Sequence, residues 1–494
     1  MKKYIYKSIF ILSLIAMVSC GDDFLDTLPT QEISSASITA TTGNLMLGVN
    51  GIHRSLYVRY DSQGEGGVGG IMITMDVMGE DFVHTSAGNG WYNAEYQWNM
   101  HTNDQGARTR YPYRVYYQII RNANVIINGA DGAEGPQAIK NMAKGQALVY
   151  RAFCHFQLVQ MYGSRYVAGQ QNSQLGVPIL LIDTNDPQPR STVEEVYAQI
   201  HADLDEAIQL LQGYQRPNKS HLDQSVARGL KARVALVQGN YTMAITNAQM
   251  ARQGYPLMTN NEYLSGFNSY TNGEWMWGSH IVEDQTTFFA NFGAYVSRNF
   301  NSTNIRTNPK AIFSVLYDQL PETDIRRALW DPTGQHNNLP AGVTLPSNFV
   351  RFPYTSQKFI SVSTADSRMD VVYMRAAEMF LIEAEAKARL GQNDAAQVLF
   401  DLVSPRDPEY TLSSNTGQAL IDEILFYRRI ELWGEGFRWL DLKRLNSPLD
   451  RRGGNHLANL INNLFEVAAG DNRWQYQIPI SEMNNNPLMI QNPQ

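Results

Sequence analysis

The sequence predicts a mainly α-helical protein of about four tetratricopeptide-like helical hairpins, with long loop-rich insertions and few short strands. Three observations carry this. Residues 232–256 and 384–408 repeat small residues, a glycine and a closing proline at shared offsets. Apolar residues recur every three or four positions through several paired stretches, the spacing of one helix face. Between the pairs, residues 55–115 and 256–370 are rich in Gly, Asn and aromatics, which marks them as long functional loops rather than repeat units.

The chain begins as an export signal. Lys2, Lys3 and Lys7 form a cationic head, and Ile9 to Val18 is apolar except for Ser13. A bilayer needs about 20 residues to span, so this run is a signal core and residues 1–19 fall outside the fold. It ends at Cys20, and a signal that ends on cysteine resembles a bacterial lipoprotein signal, which implies lipidation there; the competing reading is a secreted protein with a chance cysteine. Two or three acyl chains bury dozens of methylenes at about 0.8 kcal/mol each, enough for a stable anchor. The chain has two cysteines. The second, Cys154, lies on an apolar helical stretch and packs there, so no disulfide is expected.

The formal net charge is -7, and removing the signal takes three lysines and no acid. With no basic surplus, nucleic acid is not expected as a partner. Apolar residues make up 43% of the chain, a globular composition.

The first hairpin spans about 140–212. Val149, Ala152, Phe153, Phe156 and Val159 stripe one helix, and Ser191 with Glu194 reads as the capping box of its partner. The second spans about 223–254, where Ala232, Gly239, Tyr241, Ala244, Ala248, Ala251 and Pro256 fit a tetratricopeptide unit. The third, about 373–404, keeps Ala384, Gly391, Ala396, Phe400 and Val403 at the same offsets. The fourth is about 418–446. Small residues let paired helices approach, glycine makes the turn and proline ends the second helix.

Several motifs are set aside. "GEGGVG" (64–69) matches G-x-G-x-x-G, but no clear strand precedes it, so it reads as a flexible loop. The nine histidines show no metal spacing and no G-x-S-x-G elbow occurs. Glu431, Glu435, Arg438 and Asp441 stand three or four residues apart, which suits helix ion pairs more than an acid–base pair. No metal and no cofactor is expected; ligands for a structural calcium ion are not readable in the loops.

In order along the chain, "SCGDDFLDTLP", "GQALVYRAFCHFQLVQMYG", "LGVPIL", "RRIELWGEGFRWLDLKR" and "YQIPISEMNNNPLMIQNP" resemble the SusD/RagB outer-membrane lipoproteins. The lipobox departs from that pattern at Met17-Val18. The resemblance implies one domain over 20–494, with an N-terminal part to about 215 and a C-terminal part from about 256. It implies a lipid anchor on Cys20, surface export directed by Asp22 and Asp23, and a non-catalytic lid on a SusC-like TonB-dependent transporter in the outer membrane. The lid binds a nutrient, an oligosaccharide or polysaccharide first and a peptide as the alternative.

Glycan binding needs flat rings with amides and acids beside them. The densest set is Trp91, Tyr92, Trp98 and Asn99, in a region where family members place part of their site, and Asp76 is a polar partner by the same resemblance. Trp275 and Trp277 alternate on a strand and so share a face. Tyr295, with Arg298 nearby, completes the expectation that loops 76–104 and 275–298 converge on an aromatic arc. The competing reading for each ring is core packing. Two other classes are a repeat scaffold for protein partners, which would favour short loops, and a glycoside hydrolase, which needs two carboxyls about 5–10 Å apart.

Overall fold

In the computed structural model, residues 35–285 and 289–494 are described. The signal, Cys20, Asp22 and Asp23 lie outside them. The longer helices are α1 (Thr42–Ser55), α2 (Gly67–Val77), α3 (Ala107–Gly129), α4 (Gln137–Tyr162), α5 (Val193–Leu210), α6 (Gln224–Gln238), α7 (Tyr241–Ala251), α8 (Ala376–Arg389), α9 (Ala395–Val403), α10 (Gly417–Glu431) and α11 (Arg438–Leu445). The pairs α4–α5, α6–α7, α8–α9 and α10–α11 fall where the four hairpins were expected.

Small residues set these pairs. Ala232, Ala244, Ala248 and Ala251 are fully buried between α6 and α7. Gly239 turns the chain at φ 73°, a left-handed conformation that other residues adopt at a cost. Two apolar clusters result. A small one joins α8, α9 and α10 through Ala384, Leu399 and Ile424. The large one takes in α1 to α7 and the chain's C-terminal segment.

Local expectations shift in three places. The capping box of α5 is Thr192–Glu195, not Ser191–Glu194: the Thr192 N–H donates to Glu195 Oε2 at 2.8 Å and the Glu195 N–H to Thr192 Oγ1 at 3.2 Å. Ser191 is held extended, because its C=O accepts from Gly176 N–H and its N–H donates to Val177 O. The 175–180 segment, whose motif resembles a Gly-Val-Pro strand and was expected to form one, forms no ladder strand; Leu175 makes a single bridge to Thr192. The 64–69 motif is not a free loop, since Gly67 starts α2, a helix buried along nearly its whole length. Gly67 has φ 58°, and a Cβ there would strike the Leu56 carbonyl.

One irregularity in α3 bears on function. Pro112 lies inside the helix. One residue on, the Tyr113 N–H donates to the Tyr162 hydroxyl at 3.0 Å, and that hydroxyl donates to Thr109 O at 2.6 Å. A hydroxyl from α4 is thus inserted into the α3 ladder, next to a proline that brings no N–H of its own.

The strands are β1 (Phe82–His84), β2 (Trp275–Ser279), β3 (Lys310–Ile312), β4 (Trp330–Asp331), β5 (Thr355–Ser356), β6 (Val371–Arg375), β7 (Leu449–Asp450) and β8 (Glu466–Val467). They form antiparallel sheets ordered β1-β3-β5-β4, β2-β6 and β7-β8. The β1–β3 pair, with His84 opposite Lys310, brings the 85–99 loop beside residues 300–308.

Candidate functional site

The 85–99 loop is anchored on several sides. Thr85 and Ser86 donate their N–H groups to Asn308 Oδ1 at 3.0 and 3.3 Å. Asn93 Nδ2 donates to Ala87 O. Tyr92 and Trp98 both have positive φ, 62° and 58°. Such backbone costs of order 1–3 kcal/mol per residue and persists only where surroundings enforce it. Here the Tyr92 hydroxyl donates to Gly64 O at 3.0 Å and the Trp98 indole to Met78 O at 2.8 Å.

Of the second segment, Tyr295 reaches this loop. Tyr295, in the turn Gly293–Val296, donates its hydroxyl to Gln63 O at 2.8 Å. Its ring lies 5.2 Å from Tyr92 and 5.7 Å from Trp91, edge-on to both. Arg108 closes the cluster, donating to Gly64 O at 2.8 Å, pairing with Glu95 at 2.9 Å and lying over the Tyr92 ring. Burial pushes the Glu95 carboxyl up, against the pull of Arg108.

Convergence is not exposure. Tyr92 and Tyr295 are buried and serve as the floor; their rings have no open face for a sugar. Trp91, half-buried, is the ring of the predicted set that keeps accessible area, beside exposed Asn89 and Gly90. Trp98 is core, edge-on to Trp474 at 4.8 Å. Asn99 is exposed, with its amide turned to Gln97.

Trp275 and Trp277 are 1% exposed, and two register shifts in the β2–β6 pair break the alternation that would have put them on one face. Trp277 is packed among Tyr150, Phe153 and Tyr373. Arg298 is buried as well, donating to His336 Nε2 at 3.1 Å and Val350 O at 2.8 Å, and burial with Arg351 nearby lowers it to about 9. Asp76 is buried and accepts the Gly436 N–H at 2.7 Å. With Trp98, these four are packing residues. Sequence reasoning missed Arg108, for which an arginine among aromatics was the available signal.

Burial raises Asp76 to about 8, against hydrogen bonds from Gly436 and Arg438. An unfolded Asp titrates near 3.9. The folded form therefore keeps a proton that the unfolded form has lost, so this group's contribution weakens as pH rises from about 4 to 8. Asp76→Asn should gain melting temperature over wild type progressively from pH 5 to pH 8. A variant less stable than wild type at pH 8 would show that the carboxylate is charged in place.

The 428–444 signature is a buried ion network, with most partners across the fold and one pair, Asp441–Arg444, along the helix. Glu431 meets Arg375 at 2.7 Å and Arg326 at 3.0 Å; Glu435 meets Arg375 at 2.8 Å and Lys358 at 2.7 Å. Arg438 pairs with Glu80, and Asp441 with Arg428 at 2.7 Å and Arg444 at 2.6 Å. The adjoining cavity, about 70 Å³, is small against the roughly 300–1,000 Å³ of ligand clefts. Among the described residues no group of three or more His, Cys, Asp or Glu is placed to hold a metal ion, and no helix is long and apolar enough to cross a membrane.

Helical hairpins carrying a braced, loop-built aromatic cluster with one half-open ring are a binding-type architecture. The comparisons make this specific. Residues 237–494 match the SusD family, and residues 23–236 match a family described as starch-binding and associating with the outer membrane. The chain belongs to the SusD family.

A SusD-like carbohydrate binding protein from Bacteroides vulgatus is 26% identical, with a TM-score of 0.80 over 91% of this chain and 97% of that one. A SusD superfamily protein from Bacteroides thetaiotaomicron, 24% identical, shares the fold at a TM-score of 0.77 over 92% of this chain and 100% of its own. A SusD-like protein from Formosa agariphila is 32% identical over 103 residues, 19% of this chain and 20% of that protein's length.

Proposed function

We propose that this chain is a surface lipoprotein of the outer membrane that binds an oligosaccharide or polysaccharide and passes it to a SusC-like TonB-dependent transporter. The anchor is Cys20, and no catalytic step is assigned. The observation that carries the reading is Trp91, a half-open indole on a floor that cannot move: Tyr92, Tyr295 and Arg108 are each tied to the Gln63–Gly64 backbone or to one another. A preorganised ring contributes stacking area with little ordering cost. Family membership and the carbohydrate-binding relative support the ligand class.

The test is affinity electrophoresis of the chain from Gly21 onward in gels containing starch, β-glucan, xylan or mannan. One polysaccharide class should retard it, and Trp91→Ala should weaken that retardation about tenfold, the equivalent of about 1.4 kcal/mol of stacking. Retardation unchanged in Trp91→Ala would displace the site from this loop. A folded chain retarded by no glycan, but binding peptides, would replace the glycan with a peptide.

A further inference from the structure

A second cleft lies away from Trp91. It has a volume of about 480 Å³ and is formed by α3, the 178–188 segment and the short helix Ile480–Asn485. Arg108, in the Trp91 cluster, and Tyr117, in the cleft, both stand on α3. They are nine residues apart, so about 14 Å along the axis and about half a turn around it. The two places open on different faces of the helix.

The cleft is rigid. The Tyr117 hydroxyl donates to Pro178 O at 2.9 Å, Arg121 pairs with Asp183 at 2.6 Å, and Asn486 Nδ2 donates to Gln188 O at 2.8 Å. Asn124, one turn further along α3, donates to Leu180 O at 3.0 Å. Its floor is the Tyr113 and Tyr117 ring pair, centroids 4.6 Å apart, with Tyr117 half-exposed. The hydroxyl inserted between Tyr113 and Thr109 fixes the helix that presents those rings.

Five amides line the walls, of which Gln118, Asn185 and Asn485 are exposed. The lining carries two arginines, Arg114 and Arg121, and two acids, Asp186 and Glu482. Arg114 is paired with Asp61 and Arg121 with Asp183. There is no surplus charge for an anionic ligand. Open ring area, several amides and arginines already paired off suit a polar, multiply hydroxylated molecule that carries no negative charge.

We propose that this cleft is a second saccharide site, for a neutral oligosaccharide, independent of Trp91. The proposal rests on the glycan reading above. It is tested by calorimetric titration of the chain from Gly21 onward with malto-, laminari- and xylohexaose. The variants are Trp91→Ala, Tyr117→Ala and Gln118→Trp. Gln118 is exposed, so its replacement fills the cleft without entering the core, and it covers the case in which Tyr117→Ala misfolds.

For the hexaose that binds, wild type should show two sites. Gln118→Trp should abolish one, and Trp91→Ala should remove the other while leaving the cleft's affinity within about twofold. Stoichiometry and affinity unchanged in Gln118→Trp, with binding lost in Trp91→Ala, would overturn the second site and leave the glycan reading intact. Gln118→Trp that binds glycan normally but no longer co-purifies with its barrel would make the cleft a protein-docking site instead. No binding of any hexaose by folded wild type would remove the glycan reading and this proposal together.

Discussion

Arg375→Ala should be the most damaging single substitution outside glycine positions, costing about 3–5 kcal/mol, a large share of the roughly 5–15 kcal/mol that holds a typical domain. Arg375 closes β6 where α8 begins. Its guanidinium meets Glu274 and Glu431 at 2.7 Å and Glu435 at 2.8 and 2.9 Å, and it donates to Glu431 O at 2.6 Å. All four residues are buried.

Arg326, Lys358 and Arg406 face the same carboxylates, with Asp324 beside Arg326. Four cations thus meet four acids, and removing Arg375 leaves one buried negative charge uncompensated. That charge, more than the lost attraction, is the cost. Arg375→Lys should rescue little, because one ammonium cannot reach three carboxylates as a planar fork does. Urea unfolding of Arg375→Ala, Glu435→Gln and the double variant checks this. The double variant should be less damaged than the two singles combined, and a loss below about 1 kcal/mol in Arg375→Ala would show that the network carries no weight.

Acid should unfold this protein in two stages. Burial lowers His101 and His336 to about 4, and His155 and His456 to about 3. The unfolded chain takes up protons at these residues below about pH 6.5 and the folded chain does not. Their contribution is therefore complete above that pH and declines as pH falls toward 3–4.

The second stage is carboxylate. Burial alone would raise Glu431 and Asp441, but Arg375 with Arg326, and Arg428 with Arg444, hold them at about 2. Their contribution is present above about pH 4.5 and lost from there down to 2. Each proton difference is worth about 1.4 kcal/mol per pH unit. Asp76 acts in the opposite sense, as one group against four histidines. Melting temperature should fall by about 5 °C from pH 7 to pH 5, then more steeply below 4.5. A flat profile from 7 to 5 would show that the histidines are already protonated in the fold.

The helical hairpins were legible in the sequence because their causes are local. Ala232, Gly239 and Ala244 specify a close pair wherever it sits, and the offsets repeat at Ala384, Gly391 and Ala396. The ordered motifs from Cys20 to Pro493 likewise carried the family resemblance. Of the 76–104 and 275–298 loops, expected to converge, Trp91, Tyr92 and Tyr295 meet, while Trp275, Trp277 and Arg298 lie elsewhere.

What the chain's order could not state is which side of each ring is covered. Trp98 and Trp91 stand seven residues apart in one polar loop, yet one is core and the other half-open. The difference is made by Met78, Trp474 and His101 closing over the first. Trp277 is enclosed by α4 and β6, and a bulge undoes its alternation with Trp275. The cleft at Tyr117 draws its walls from three distant segments, none with a motif. Sequence by itself determined the elements and the family, since period and turn chemistry act over a few residues. Tertiary structure alone decided which rings stay open, because exposure depends on neighbours brought from hundreds of residues away.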